Sequence, residues 1–321
     1  MNVIAFIFPG QNSQQVGMGQ ALAAAHPEAK GTFDEADAAF AGESRSARSL
    51  STLCFEGPEE ELVLTEVTQP ALVATSIAAC RVLQSRGIQP AFVAGHSLGE
   101  YSANVAAGTM AFADAVRLVH RRGRYMQEAV PVGVGAMAAI IGADLAIVQQ
   151  ACEEAAEGEV VSPANINAPG QVAIAGHAAA VQRASDRARA LGAKRVVPLS
   201  VSAPFHCALM RPAEARLEPE LRDLPTRTPA IPVVANVDAQ PKREAWAAID
   251  ALVRQVSAPV RWCEVVERLA SEGVTTYVEV GPGAVLSGLV KRIHKEARVM
   301  QFGSPDDLGA IMAACSTSAE K

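Results

Sequence analysis

Gly95-His96-Ser97-Leu98-Gly99 has the G-x-S-x-G pattern, with apolar Phe92-Val93-Ala94 before it and an Ala-containing run after it. Those flanks place it where a strand turns into a helix. A serine at such a bend sits in a strained backbone with its oxygen exposed, and side chains at the two flanking glycines would collide with neighbouring backbone. The following helix adds N–H donors and the positive end of its dipole near the reacting oxygen. This is the chemistry of a nucleophile, Ser97, weighed against a purely structural tight turn.

A serine hydroxyl needs a base to react at neutral pH. Six histidines compete. His26, His177 and His294 have polar, loop-like or amphipathic surroundings and read as solvated; His96 is locked in the bend, pointing away from the serine; His120 lies among arginines on a helix. His206 follows Ala203-Pro204-Phe205 where the chain returns from an inserted unit, a boundary that forms a cleft. It is the candidate base, with a satisfied structural histidine as the bland alternative. Asp114, Asp144 and Asp186 fall between Ser97 and His206 and could orient the imidazole, yet each has a helix-start or helix-face setting that explains it. A backbone or amide carbonyl could orient it instead, giving a Ser-His dyad, with Gln255 or its neighbours as one source.

The elements that must position these groups alternate strand and helix, which predicts a parallel sheet in an α/β fold. Val3 to Phe8 reads as a buried strand broken by Pro9-Gly10, and a Gly-, Ser- and Glu-rich stretch from Ala41 to Glu61 as surface loop and short helix. Gln69 to Arg86 has helical period, and Ala91 to Gly95 is the strand before the bend. Between Gly133 and Ser200 the order becomes βαββαβ, a ferredoxin-like pattern in which two helices cover one face of a four-stranded antiparallel sheet. Three units follow: residues 1-132 with 201-302, the insertion 133-200, and a frayed tail, 303-321.

A formal charge of -6, with basic residues scattered apart from Arg121, Arg122 and Arg124, argues against a nucleic-acid partner. No apolar run reaches the about 20 residues that span a bilayer, and the opening MNVIAFIF has no basic leader, so the expectation is a cytoplasmic protein with no membrane partner. Six cysteines without a C-x-x-C pair read as reduced, buried thiols, and no metal site is visible. Cys207 is discounted as a nucleophile because a residue adjacent to the base on an extended chain points to the opposite face. Val280-Gly281-Pro282-Gly283 lacks nucleotide-binding spacing and reads as a tight turn.

GQNSQ at 10-14, GHSLGEYSA at 95-103, RRGRYMQEAVPVGVGAM at 121-137, ANINAPGQVAIAG at 164-176, APFHCALM at 203-210, LVRQVSAPVRW at 252-262 and VEVGPG at 278-283 stand in order along the chain. Together they resemble the malonyl-CoA:acyl-carrier-protein transacylases. The resemblance implies that Ser97 accepts the acyl group, that His206 is its base, and that the main-chain carbonyl of Gln255 holds the imidazole. It also implies an oxyanion hole from the N–H groups of Gln11 and Leu98, and Arg122 as the grip on the free carboxylate of malonate. Physics supports an arginine there independently, because malonyl differs from acetyl by one carboxylate and a planar, permanently charged fork binds it bidentately.

Two residues depart from the stand-alone bacterial pattern. Phe205 stands where many such members have Ser; in the resembling acyltransferases a Phe here accompanies malonyl selection, its ring filling the space of a 2-methyl branch. Asn12 stands where the family's loop usually has Gly, and Asn tolerates left-handed backbone better than most residues. The resemblance thus implies an α/β-hydrolase-like unit carrying the ferredoxin-like insertion, with the site between them. It implies ping-pong malonyl transfer from coenzyme A to the phosphopantetheine thiol of an acyl carrier protein for fatty-acid synthesis, by a monomer using no cofactor. The rivals are a trans-acting acyltransferase loading polyketide carrier proteins, a serine hydrolase or thioesterase, and a degenerate scaffold that binds carrier proteins without chemistry.

Overall fold

The computed structural model describes residues 2–44 and 46–316 of the 321. Among them ten strands form two sheets: β1 (Ile4–Phe8), β2 (Phe92–Gly95), β3 (Gly135–Ile141), β4 (Val161–Ala168), β5 (Gln171–His177), β6 (Arg195–Pro198), β7 (Val233–Val234), β8 (Pro241–Lys242), β9 (Thr276–Val280) and β10 (Arg298–Phe302). The larger sheet has the order β10-β9-β1-β2-β7-β8 and is parallel except for the β7–β8 pair. Central β1, IAFIF, is buried throughout because both its faces are covered. Ile4, Phe6 and Phe8 enter one apolar cluster while Ala5 and Ile7 enter the other, the period-2 alternation of a strand with a core on each side. Burying each such phenylalanine contributes about 1.5–3 kcal/mol.

On the first face the long helix Thr65–Ser85 packs against Phe112–Glu128. Pro70 has no N–H to give its own helix, which leaves the carbonyl of Glu66 without its usual partner. The Nδ1–H of His120 on the neighbouring helix donates to that carbonyl at 2.8 Å, so His120 is a structural histidine. The two helices are close enough that a Cβ on Gly123 would meet the Thr65 carbonyl oxygen at 2.6 Å. This contact fixes the helix that carries Arg122.

The smaller sheet is antiparallel, ordered β4-β5-β3-β6, with helices Leu145–Ala155 and Ala178–Ala190 packed on it. Chain order is therefore strand, helix, strand, strand, helix, strand, the order expected between Gly133 and Ser200. Ala138 and Ile140 of β3 face those helices, whereas Met137 faces the cluster of the larger unit. Val260 ties the segment before the helix Trp262–Ser271 to β4 of the smaller sheet, donating from its N–H to Ala164 at 2.9 Å and accepting from the Ile166 N–H at 2.8 Å.

The expectation of a frayed tail from residue 303 fails. Residues Pro305–Asp307 form a 3-10 turn closed by a reciprocal Ser304–Asp307 capping box, and helix Leu308–Ser316 follows. Ile311 and Ala314, one turn apart, are buried, and burying that apolar pair outweighs the end-fraying expected of a terminus. The last five positions of the expected tail, 317–321, lie outside the described residues. The stretch from Ala41 to Glu61 holds two short helices, Leu50–Phe55 and Glu59–Leu62, the first capped by the Ser49 side chain. No helix among the described residues is long and apolar enough to cross a membrane.

Candidate active site

Ser97 stands between the end of β2 and the helix Gly99–Ala106 with a left-handed φ of 51°. A Cβ on Gly95 would lie 1.9 Å from the Gly99 carbonyl carbon, and one on Gly99 would lie 2.0 Å from the Phe8 carbonyl oxygen. Both glycines are thus required by close backbone approach, as the pattern predicted. Asn236 secures the bend: its Oδ1 accepts the Ser97 N–H at 2.8 Å and its Nδ2 donates to the Gly95 carbonyl at 2.7 Å.

His206 Nε2 lies 2.7 Å from Ser97 Oγ, and His206 Nδ1 lies 2.9 Å from the main-chain oxygen of Gln255. A carbonyl only accepts, so Nδ1 carries the hydrogen, Nε2 of the neutral ring is left with its lone pair, and the Ser97 hydroxyl donates to it. Burial, and after it the charge of Arg122, holds the imidazole down to about 3, so the ring is neutral at pH 7 and free to take a proton. The three acids that might have oriented it are elsewhere: Asp114 pairs with Arg117, Asp186 pairs with Arg189, and Asp144 precedes the helix Leu145–Ala155. The carbonyl alternative is the one realised.

The three neighbouring arginines part company on the helix. Arg121 pairs with Glu43 and Glu220, and Arg124 lies over the ring of Tyr125 with its side chain 40% exposed. Arg122 is 1% exposed and turns inward. Its Nη1 donates to Gln69 Oε1 at 2.9 Å and its Nη2 to Gln255 Oε1 at 3.0 Å, with Nη2 also 3.5 Å from Ser97 Oγ. Its Nε is buried and has no hydrogen-bond partner among the described residues.

Ser97 and His206 border a cavity of about 260 Å³ whose walls also include Gln11, Met126, Met137 and Phe205. Phe205 is nearly buried, and Asn12 adopts the left-handed φ of 74° that its type tolerates. Gln11 follows the end of β1 and Leu98 directly follows the serine. Among the described residues neither of their N–H groups donates to another protein atom. Leu98 is buried, with its N–H at the head of the helix.

Three contributors escaped the sequence reading: Gln69, Glu100 and Asn236. Gln69 joins Arg122 to the Gln11 side chain, the latter at 3.2 Å, and Glu100 accepts from the Asn236 N–H at 3.0 Å and from Gln255 Nε2 at 2.8 Å. Glu100 was quoted as part of the motif; its burial has no local signal, since helical surface positions are commonly Glu. Other expectations need correction. His177 is bonded to the Val160 N–H and His294 to the Tyr277 hydroxyl, so neither is merely solvated, and His26 has a buried, unpartnered Nε2. Each lies at the end of a helix or strand. The five described thiols are buried and unpaired; Cys315's side chain is outside the described residues. The Cys207 thiol donates to the Pro204 carbonyl and burial pushes it up to about 11, so it stays protonated at pH 7 beside His206. No three His, Cys, Asp or Glu side chains among the described residues are arranged to hold a metal.

Residues 5–304 match the family described as the acyl transferase domain. The malonyl CoA-acyl carrier protein transacylase of Escherichia coli K12 is 52% identical over 313 residues, covering 97% of this chain and 99% of that one. The solved acyl carrier protein S-malonyltransferase of Vibrio cholerae is 48% identical with a TM-score of 0.93, over 96% of this chain and 99% of that one. A malonyl-transacylase solved in complex with its type II PKS acyl-carrier protein is 47% identical at the same TM-score, over 98% and 100%. With the match spanning both sheets and the whole cleft around Ser97, the chain belongs to the acyl transferase family, among its malonyl-CoA:acyl-carrier-protein transacylases.

Proposed function

We propose that the protein transfers malonyl from malonyl-CoA to the phosphopantetheine thiol of an acyl carrier protein through a malonyl ester on Ser97. The observation that carries this reading is the buried Arg122 guanidinium 3.5 Å from the nucleophile, with its Nε–H unpartnered. A carboxylate on the acyl group would meet that buried cation, where a charge-assisted pair is stronger than at the surface.

Ser97 Oγ attacks the thioester carbonyl as its proton passes to His206 Nε2, and the imidazolium formed is held through Nδ1–H by the Gln255 carbonyl. The N–H groups of Gln11 and Leu98 stabilise the oxyanion. Collapse breaks the C–S bond, and His206 returns the proton to the departing sulfur of coenzyme A. The carrier's thiol then gives its proton to His206, attacks the Ser97 ester and leaves as malonyl thioester, restoring the hydroxyl. No metal or redox group enters these steps. A malonate carboxylate on Arg122 occupies space that water would need to hydrolyse the ester. Phe205, on the cavity wall, fills the space of a 2-methyl branch.

The reading divides the chain into an α/β-hydrolase-like unit, 1-132 with 201-302, and a ferredoxin-like unit, 133-200, with the cleft between them. It takes the protein to be a cytoplasmic monomer serving the carrier of fatty-acid synthesis. Initial-rate kinetics with malonyl-CoA and holo-carrier proteins from fatty-acid and polyketide systems test it. Parallel double-reciprocal lines and a preference for the fatty-acid carrier support it; malonyl-CoA hydrolysis with no transfer to either carrier sinks it.

A further inference from the structure

Ser-His sites commonly use a carboxylate bonded to the imidazole, and here a main-chain carbonyl takes that place. A carboxylate is nonetheless buried one layer below. Glu100, in the first turn of the helix Gly99–Ala106, is 1% exposed, and no Lys, Arg or His among the described residues forms an ion pair with it. Its Oε2 takes two hydrogen bonds, from the Asn236 N–H and from Gln255 Nε2. Asn236 is the residue that holds Ser97 N–H and the Gly95 carbonyl, and Gln255 is the residue whose carbonyl holds His206.

The side-chain amide of Gln255 has two faces, and Glu100, together with the Ser97 carbonyl and Arg122, fixes which way they point. A carboxylate only accepts, so the NH2 must turn towards it, where it also reaches the Ser97 carbonyl at 2.9 Å. Oε1 is thereby left facing Arg122 and accepts its Nη2 at 3.0 Å. Reversed, the amide would set two donors against the guanidinium and an oxygen against the carboxylate, and both contacts would be repulsive. The amide therefore relays one buried charge to the other.

Resting on the malonyl-transfer reading, we infer that Glu100 is a positioning residue: acting through Gln255 and Asn236, its carboxylate aligns Arg122 with the acyl carboxylate and Ser97 with His206. Burial raises this carboxyl to about 7 against the two hydrogen bonds that favour its ionised form. A group kept in so unfavourable a setting is consistent with a functional demand on its position.

The test follows acylation of Ser97 in single turnovers, by intact mass, with malonyl-CoA and acetyl-CoA in parallel. The proteins are the wild type, Glu100→Gln, Glu100→Asp, Gln255→Met and the double variant Glu100→Gln/Gln255→Met; Asp withdraws the charge by one methylene, so either folded single variant suffices. Loss of one hydrogen bond to a charged group predicts malonylation slowed by about ten-fold or more. It also predicts a smaller malonyl-to-acetyl ratio, one malonyl per chain at the endpoint, and little further loss on adding Glu100→Gln to Gln255→Met. A merely structural role would lower the endpoint and leave the ratio alone. Wild-type rate and ratio in a folded Glu100 variant, or fully additive losses in the double variant, overturn the inference. Failure of the wild type to acquire malonyl overturns instead the reading on which it rests.

Discussion

Replacing Arg122 with alanine separates a carboxylate grip from a packing role. The guanidinium is 1% exposed and spends two of its nitrogens on Gln69 and Gln255, leaving Nε free. Breaking a buried ion pair by removing one partner costs about 3–5 kcal/mol. At about 1.4 kcal/mol per decade, kcat/KM for malonyl-CoA should fall by roughly 10²–10³·⁵. Acetyl-CoA has no carboxylate to lose, so its rate should change far less and the malonyl preference should collapse by about the same factor. The freed space should also admit water, so hydrolysis of the acyl ester should rise relative to transfer. Stopped-time assays that separate free acid, acyl-enzyme and acyl-carrier give all three quantities. Equal losses for malonyl-CoA and acetyl-CoA, with no rise in hydrolysis, would show that Arg122 only supports the fold of the cleft.

Gly99→Ala puts a methyl 2.0 Å from the Phe8 carbonyl oxygen, so a loss of at least about 1–3 kcal/mol in stability and no acylation are expected, measured by thermal melting and mass; a stable, active variant would contradict the elbow geometry. Phe205→Ser should narrow the discrimination between malonyl-CoA and methylmalonyl-CoA by about 1–3 kcal/mol in the ratio of kcat/KM, and an unchanged ratio would remove Phe205 from selectivity. His206 titrates near 3 when folded and has an ordinary value of 6.5. In that window the unfolded chain binds the extra proton, so the stability this group contributes is present above pH 6.5 and is lost as pH falls towards 3. The Tm advantage of the wild type over His206→Asn should therefore shrink between pH 7 and pH 4.5, and a growing advantage would reverse the sign assigned to burial.

The sequence made the scaffold legible where one local rule acted alone. Strand and helix periods located β1, β2 and the βαββαβ order, and the two elbow glycines announced a backbone approach too close for any Cβ. Ser97 and His206 could be named because their chemistry restricts residue type. Arg122 could not be chosen from its neighbours by chemistry, because residues 121 and 122 differ by about 100° around the helix and only the packing of Gly123 on Thr65 says which one faces inward. Glu100, Gln69 and Asn236 were hidden for a related reason: each gains its role from partners far away in sequence. The tail was misjudged although Ile311 and Ala314 have helical spacing, since a terminal position carried more weight than an apolar pair.

Malonyl transfer of the kind proposed requires that the Ser97 hydroxyl become a malonyl ester with the help of the His206 imidazole. Incubation with malonyl-CoA, followed by intact-mass spectrometry and peptide mapping, tests it most directly. The expected result is one malonyl group per chain on the peptide containing Ser97, none on Ser97→Ala, and a greatly slowed gain on His206→Asn. A malonyl group on the Ser97→Ala chain, or unhindered labelling of His206→Asn, would contradict it.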